Sequence, residues 1–285
     1  MGDAKETVGA LGLRVPPGGS RFRPGLFMAA LALAGVSAIA FFFLIYVPNE
    51  RREATAEWAG RLGAVANDRK AAIGEWVADI LGNVRTAASS PSVRAAVAAH
   101  RAGSAFVAAD RLEEALGSLQ PGRRHDGAAL FGEGGVWLAG SGRWSSAKEV
   151  VYVAPLLRTK APVYFVLGAG GEPLVAFAAP VPGGGEGARA VILVDPTEWL
   201  YPLLAREAVP TRTGEVYLAR RDGDEFVVES PLRSRSAAPL TLRIAASGPT
   251  IAARLGTAGT EMAREFPDFR GEPVEAAARR VPGTG

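Results

Sequence analysis

The sequence predicts an α+β protein in which an N-terminal transmembrane helix and a long stalk helix precede antiparallel sheets. No charged residue interrupts the apolar run over 25–47, and apolar residues recur at helical spacings over 49–88. After Gly127, short runs of β-forming residues alternate with glycine turns. Helices that come first and hairpins that follow indicate α+β organisation, with a sheet covered by helices.

Composition and charge narrow the range of partners and sites. The 285 residues are enough for one large or two medium domains. The net charge is only +3, and no basic stripe interleaved with aromatic residues is present, so nucleic acid is not an expected partner. Cysteine is absent, and the two histidines, His100 and His125, have no carboxylates at ligand spacing. The sequence therefore predicts neither a metal site nor a cofactor.

The apolar run over 25–47 is long enough to cross a membrane. A helix of about 22 residues rises roughly 33 Å, against a hydrocarbon layer of roughly 30 Å. Arg21 and Arg23 lie just before the run, and positive charge beside a first span favours a cytoplasmic N-terminus. We therefore expect a cytoplasmic tail over 1–24, a single span of the cell's inner (plasma) membrane, and an extracytoplasmic remainder.

A cleaved signal peptide is the alternative interpretation of this run. Its apolar region would cover about 7–15 residues and end at a small-x-small cleavage site. Ala38-Ile39-Ala40 has that pattern, but the apolar residues continue to Val47. Because cleavage there would leave an apolar new N-terminus, an uncleaved anchor is favoured.

The segment over 48–90 has the pattern of one long amphipathic helix, the predicted stalk. Pro91 interrupts it, a nearby serine is expected to cap the next helix, and shorter helices are expected near 92–101 and 104–118. An ordinary helix covering a sheet is the other interpretation, and the two are compatible along different parts of the segment. The apolar positions recur mostly at spacings of three and four: Trp58, Leu62, Val65, Ile73, Trp76, Val77, Ile80, Leu81 and Val84.

Hairpin patterns predict the first sheet, within a module over 91–196. "GAALFGEGGVWLAGSG" indicates two strands around a turn at 134–135, and "PVYFVLGAGGEPLVAFAAPV" indicates two strands around a turn at 170–171. A glycine-rich turn then leads into "ARAVILVD", a strand that ends at Asp195.

A second module is expected over 197–285. "PTEWLYPLLA" predicts a short linker helix, and "TGEVYLARRDGDEFVVES" predicts a hairpin that turns at 222–223. The charged run over 220–225 within it is expected to be a solvated hairpin tip. "APLTLRIAA" predicts another strand, a short helix is expected over 249–257, and "DFRGEPVEAAARRVPGTG" predicts a turn at Gly271 followed by a strand.

Three stretches, in this order, resemble the double Cache sensory domains of bacterial transmembrane receptors such as sensor histidine kinases and diguanylate cyclases. They are "VILVDPTEWLYPLL", "TGEVYLARRDGDEFVVESPLR" and "DFRGEPVEAAARRVPGTG". The resemblance implies two PAS-like antiparallel sheets along one long helix, the first membrane-distal and the second membrane-proximal, in a homodimeric receptor of a two-component system. It also implies a further strand, a second span and an output domain after "VPGTG", so the second module is expected to be incomplete and the sequence to be a fragment.

The resemblance also implies a small ligand on the membrane-distal sheet, over roughly 127–195. Among the residues there, Arg143 is suited to pair with a carboxylate, and the resemblance gives Asp195 the role of holding an amino group. The ligand classes considered are an amino acid, an organic acid or an amine. Four aromatic residues are candidate pocket walls: Trp144, Tyr152, Tyr164 and Phe177.

Each of these candidates has a structural alternative. Arg143 is more often an exposed surface residue, the aromatic residues are about as often core, and Asp195 is as often a cap for the linker helix. The segment "GRWSSAKE" also lacks the Arg-x-Trp-Tyr arrangement of amino-acid-binding members of the family.

The function predicted from the sequence is extracytoplasmic ligand sensing by a membrane-anchored signal-transduction receptor whose output domain lies outside this chain. The alternative is a membrane-anchored envelope scaffold that docks another protein and binds no small molecule. An enzyme is not predicted, because the sequence contains no recognisable set of nucleophile, base and orienting residue.

Overall fold

The computed structural model describes residues 24–103, 126–142, 161–168, 170–206, 214–235, 237–247, 262–268 and 270–283. The helices predicted near 104–118 and over 249–257 lie outside these residues. The chain divides into two compact units, Met1–Glu53 and Ala54–Gly285.

The first unit contains the apolar helix. It consists of α1 (Pro24–Phe41), one π-helical turn (Phe42–Tyr46) and the beginning of α2 (Val47–Ala88). The most apolar window of this helical run has a mean hydropathy of 2.5, and none of that window is buried against the rest of the protein. An exposed apolar helix of this length is compatible with a membrane anchor.

In the second unit, α2 buries one apolar stripe. The stripe follows the three-and-four spacing predicted from the sequence, because those positions share one face of an α-helix. Its buried members are Ile73, Val77, Ile80, Leu81, Val84, Ala87 and Ala88.

A short turn separates α2 from α3 (Pro91–Arg101). Ser90 is the N-cap of α3, since its hydroxyl accepts a hydrogen bond from the Val93 amide at 3.3 Å. Pro91 occupies the first turn, where its missing N–H leaves no helical hydrogen bond unmade. The predicted interruption at Pro91 is therefore confirmed, and Ser90 is the serine that caps the next helix.

The first sheet has five strands: β1 (Gly127–Phe131), β2 (Trp137–Gly142), β3 (Val163–Leu167), β4 (Pro173–Pro180) and β5 (Arg189–Val194). Their order is β2-β1-β5-β4-β3, and every neighbouring pair is antiparallel. The two predicted hairpins form the edges of the sheet, and β5 pairs with one strand of each. Alternate residues of these strands face the α2 stripe and close the main core.

Trp76 of α2 connects that core to the linker. Its ring contacts the Phe177 ring edge-on at a centroid distance of 5.2 Å and stacks on the Trp199 ring at 5.3 Å. Trp199 directly precedes α4 (Leu200–Ala205), the predicted linker helix, whose Leu200 and Leu204 also enter the core.

The second module contains two small antiparallel sheets. One has the order β6-β7-β8, and the other pairs β9 with β10. The hairpin between β6 and β7 turns at 223–224, one residue later than predicted, and β9 was not predicted from the sequence. The strands are β6 (Ala219–Asp222), β7 (Glu225–Val228), β8 (Arg243–Ala245), β9 (Met262–Pro267) and β10 (Pro273–Ala278).

The earlier part of α2 contacts the linker and the end of the second module. The Arg279 Nε donates to the Asn67 Oδ1 at 2.5 Å, and the Arg69 guanidinium donates to the Arg206 carbonyl at 3.0 Å. A Cβ added to Gly63 would lie 3.2 Å from the Arg279 guanidinium, so glycine permits this close approach. Successive stretches of α2 therefore hold the second module and then the first sheet.

Replacing Phe177 with alanine should destabilise the second unit strongly. The side chain is fully buried against Trp76, and loss of a buried phenylalanine costs about 3–5 kcal/mol because a cavity remains. Urea unfolding of the full chain in detergent micelles, followed by circular dichroism, measures this change.

The matched control is Val136→Ala, because Val136 lies in the turn between β1 and β2 and is 52% exposed. Its effect should stay within about 0.5 kcal/mol. A loss below about 1 kcal/mol for Phe177→Ala would contradict the described packing.

Candidate functional site

The first sheet has a second face, opposite the face that α2 covers. Side chains alternate between the two faces along each strand, so this face has its own apolar cluster. We call it the second face; its residues are Ala129, Phe131, Val166, Leu174, Ala176, Ala178, Val191 and Leu193, with Trp137 and Tyr164 packed against them.

The centre of the second face is built from small side chains. Ala129 and Ala178 both pair with Val191, and Ala176 pairs with Tyr164 at the edge. Aromatic rings stand around these alanines, with Phe131 and Trp137 at one end. All eight residues of the apolar cluster are at most 5% exposed, so the second face is covered and not an open surface. A small ligand there would occupy an enclosed site.

Two polar groups lie at the Phe131 end of this face. The indole Nε1–H of Trp137 is buried, and no acceptor in the described part of the chain lies within hydrogen-bond distance. Arg189 stands opposite Phe131 in the ladder, on the same side of the sheet, and partial burial lowers the pKa of its guanidinium. A buried N–H normally has an acceptor. A ligand carboxylate would supply one and would be attracted by the neighbouring guanidinium.

The described candidates from the sequence lie at three different places. Tyr164 of β3 is half-buried at the edge of the second face. Phe177 of β4 is fully buried on the opposite face, in the core that α2 covers. Asp195 follows β5, and its Oδ1 accepts hydrogen bonds from the amide and hydroxyl of Thr197 at 2.8 and 2.6 Å. Arg143, Trp144 and Tyr152 lie outside the described residues.

Asp195 does not cap the linker helix, because the N-cap of α4 is Trp199 and no side chain caps it. The Asp195 carboxylate closes the turn that leads toward α4, and its own amide donates to the Asp126 Oδ2 at 2.7 Å. Trp137 and Arg189 were missed as candidates, although the alternation in "ARAVILVD" places Arg189, Val191 and Leu193 on one side of a strand.

A buried ion pair within the second module lies against the edge of the first sheet. The Arg220 Nε of β6 donates to the Glu229 Oε1 at 2.7 Å, and the two side chains are only 12% and 6% exposed. The same guanidinium lies 4.3 Å from the centroid of the Tyr164 ring, in cation–π geometry. We call Tyr164, Arg220 and Glu229 the Arg220 joint.

The joint also contacts the linker helix. The hydroxyl of Tyr201 in α4 donates to the backbone carbonyl of Glu229 at 2.8 Å, and burial raises the pKa of Tyr201. Burial raises the pKa of Glu229 to about 7, although the positive charge of Arg220 opposes this shift. The prediction that 220–225 forms a solvated hairpin tip holds for the exposed residues Asp222 and Asp224, but it is wrong for Arg220.

The raised pKa of Glu229 predicts a fold that loses stability as the pH rises. The folded state still holds the proton between the ordinary pKa of 4.5 and about 7, where the unfolded chain has released it. The stabilisation by the Glu229 proton is fully present below about pH 4.5 and is lost as the pH rises through about 7. The free energy of unfolding is expected to fall by about 3 kcal/mol across this range. Urea unfolding of the full chain in micelles across this range measures it.

Glu229→Gln should remove this component of the pH dependence, because glutamine does not titrate. Glu225→Gln is the control, since Glu225 is in the same sheet but its side chain is 47% exposed and pairs with Arg243. If Glu229→Gln and wild type lost stability equally with pH, Glu229 would not be the titrating group.

No protein-family model matches this chain, and no curated protein or solved structure is significantly similar to it. The assignment of a function therefore rests on the second face, the Arg220 joint and the apolar N-terminal helix.

Proposed function

We propose that the chain is the ligand-sensing part of a membrane-anchored bacterial receptor of the double Cache kind. The main support is the second face of the first sheet. The helix α2 fills one face, while the other combines an alanine centre, aromatic surroundings and the unpaired indole N–H of Trp137. Apolar walls with a few convergent polar groups are typical of small-molecule sites.

The strand order supports the PAS-like part of this proposal. In the order β2-β1-β5-β4-β3, the two hairpins stand at the edges and the last strand stands in the centre. This arrangement, with a helix along one face, is typical of PAS-like sheets. The contacts of α2 with Arg206 and Arg279 further support a second module along the same helix.

The polar groups of the second face favour a ligand with a carboxylate. Trp137 offers a donor and Arg189 a positive charge, and both suit an organic acid or the carboxylate of an amino acid. The Asp195 carboxylate already accepts two hydrogen bonds from Thr197, so recognition of an amine at that position has less support.

Signalling in this proposal is a shift between two arrangements of the module. A ligand can shift such an equilibrium only by its difference in affinity for the two states. Tyr164 belongs both to the second face and to the Arg220 joint. A ligand that moves the Tyr164 ring would therefore change the contact between the first sheet and the second module.

The scaffold alternative requires an exposed apolar docking patch. Among the described residues of the second unit, Trp58 and Val136 are the large hydrophobic side chains that are exposed, and they are single side chains on different elements. The described part of the second unit therefore lacks the exposed patch that docking requires.

We expect carboxylate compounds to stabilise the folded chain. Thermal-shift and calorimetric screening of the full chain in micelles, with amino acids, dicarboxylates and amines as probes, measures this. A ligand at a hundredfold excess over its Kd adds about 2.7 kcal/mol. Trp137→Phe keeps a ring and removes the N–H, and it should weaken binding of the best compound by about tenfold.

The control for this variant is Val136→Ala, one residue away and exposed, which should bind as wild type does. The proposal would be wrong if no compound bound to the folded chain, or if Trp137→Phe bound every compound unchanged.

The orientation in the membrane is testable because the chain has no cysteine. Asp224→Cys lies at the exposed tip between β6 and β7 and should react with a membrane-impermeant maleimide added to intact spheroplasts. Lys5→Cys, in the predicted cytoplasmic tail, should react only after lysis. Recovery of the protein in the soluble fraction, or protection of the Asp224→Cys thiol, would exclude the proposed topology.

A further inference from the structure

The Arg220 joint brings the edge strand of the first sheet to a hairpin of the second module that is distant in the sequence. Tyr164 lies on the edge strand β3 of the first sheet, Arg220 lies on β6, and Glu229 directly follows β7. Tyr201 of α4 fixes the backbone of Glu229 through its hydrogen bond. The joint is thus a polar contact between the first sheet and the second module, both of which also contribute apolar residues to the main core.

We infer that the Arg220 joint is a proton-responsive coupling between the first sheet and the second module, in which ionised Glu229 holds the Arg220 guanidinium on the Tyr164 ring and protonated Glu229 releases it. The proton is then a second signal, separate from any ligand on the second face.

The physical reason is the balance of charge in a nearly dry site. Ionised Glu229 gives the guanidinium a counter-ion at 2.7 Å, and this contact fixes its position over the ring. A neutral carboxyl can still accept a hydrogen bond from the Arg220 Nε–H, but it no longer supplies a counter-charge. This neutral hydrogen bond and the cation–π contact are together weaker than hydration of the guanidinium. Because the Arg220 side chain is already 12% exposed, it can reach water by a change of rotamer.

Glu229 is the group of the joint that can titrate near neutral pH. Its pKa lies at about 7, whereas the pKa of Tyr201 is raised, so that its hydroxyl stays protonated. The positive charge that acts on Glu229 is that of Arg220, and the negative charges that act on Tyr201 are those of Glu229 and Asp195. The titratable and charged groups at the joint are Tyr164 on β3, Asp195 and Tyr201 before and within α4, and Arg220 and Glu229.

A buried pair of this kind contributes to geometry more than to stability. The raised pKa of Glu229 means that burial of the carboxylate outweighs its attraction to Arg220. Ionised Glu229 therefore stabilises the fold less than neutral Glu229 does. It restricts the relative movement of the first sheet and the second module more. Acidification is expected to stabilise the module and at the same time to loosen the joint.

Distance measurements between spin labels test the coupling without any ligand. Glu186→Cys, in the turn before β5, and Asp224→Cys, in the turn after β6, are both exposed and place one label on each part. Pulsed electron resonance on the full chain in micelles gives the distance distribution at about pH 5.5 and about pH 8.5, on either side of the Glu229 pKa of about 7.

In the otherwise unaltered chain, a narrow distribution is expected at the higher pH and a broad one at the lower pH, with a midpoint near 7. Glu229→Gln and Arg220→Met should each give the broad distribution at both pH values. Arg243→Met is the matched control: Arg243 pairs with Asp222 and Glu225 on the same small sheet, but it is 48% exposed, and its removal should leave the pH response intact.

The inference is overturned if the labelled chain gives the same distribution at both pH values while circular dichroism shows that it is folded. It is also overturned if Glu229→Gln keeps the full pH response. Should Glu229→Gln or Arg220→Met fail to fold, the titration of the labelled chain decides alone. Absence of ligand binding in the screen would leave this result unaffected, so the two proposals fail separately.

Discussion

Burial of the α2 stripe against the first sheet is the constraint on which the rest of the second unit depends. Seven apolar residues of one helix face close the core of the five-stranded sheet. That packing fixes Trp76, whose ring then contacts both Phe177 and Trp199. The stacking of Trp76 on Trp199 fixes the start of α4. In turn, Tyr201 of α4 binds the backbone of the second module at Glu229.

The two kinds of contact between the first sheet and the second module differ in physical character. Apolar packing is strong and tolerates small sliding, whereas a buried ion pair is strict about geometry and adds little net stability. The Arg220 joint is of the second kind, with Tyr164 as its contact on the first sheet. The proposed sensing function would need both: packing that keeps the parts together, and a contact that distinguishes one arrangement from another.

Local patterns were sufficient to predict α2, both hairpins of the first sheet and β5, because helical period and glycine turns are properties of neighbouring residues. Strand register is not local. Tyr164 pairs with Ala176, one position from Phe177, so the two aromatic candidates lie on opposite faces. Arg220 belongs to a charged run typical of an exposed hairpin, and its burial depends on how the sheets pack. β9 was missed because "MAREFP" alternates poorly between apolar and polar residues.

The central position of β5 has a consequence for how the first sheet is made. β5 is the last of the five strands to be synthesised, yet among the described strands it supplies the only pairing between the two hairpins. An isolated hairpin is at best marginally stable in water. Cooperative folding of this sheet therefore requires the chain as far as Val194, and the contacts that close it are distant in sequence and slow to form. A chain that lacks β5 exposes apolar strands, which favours aggregation.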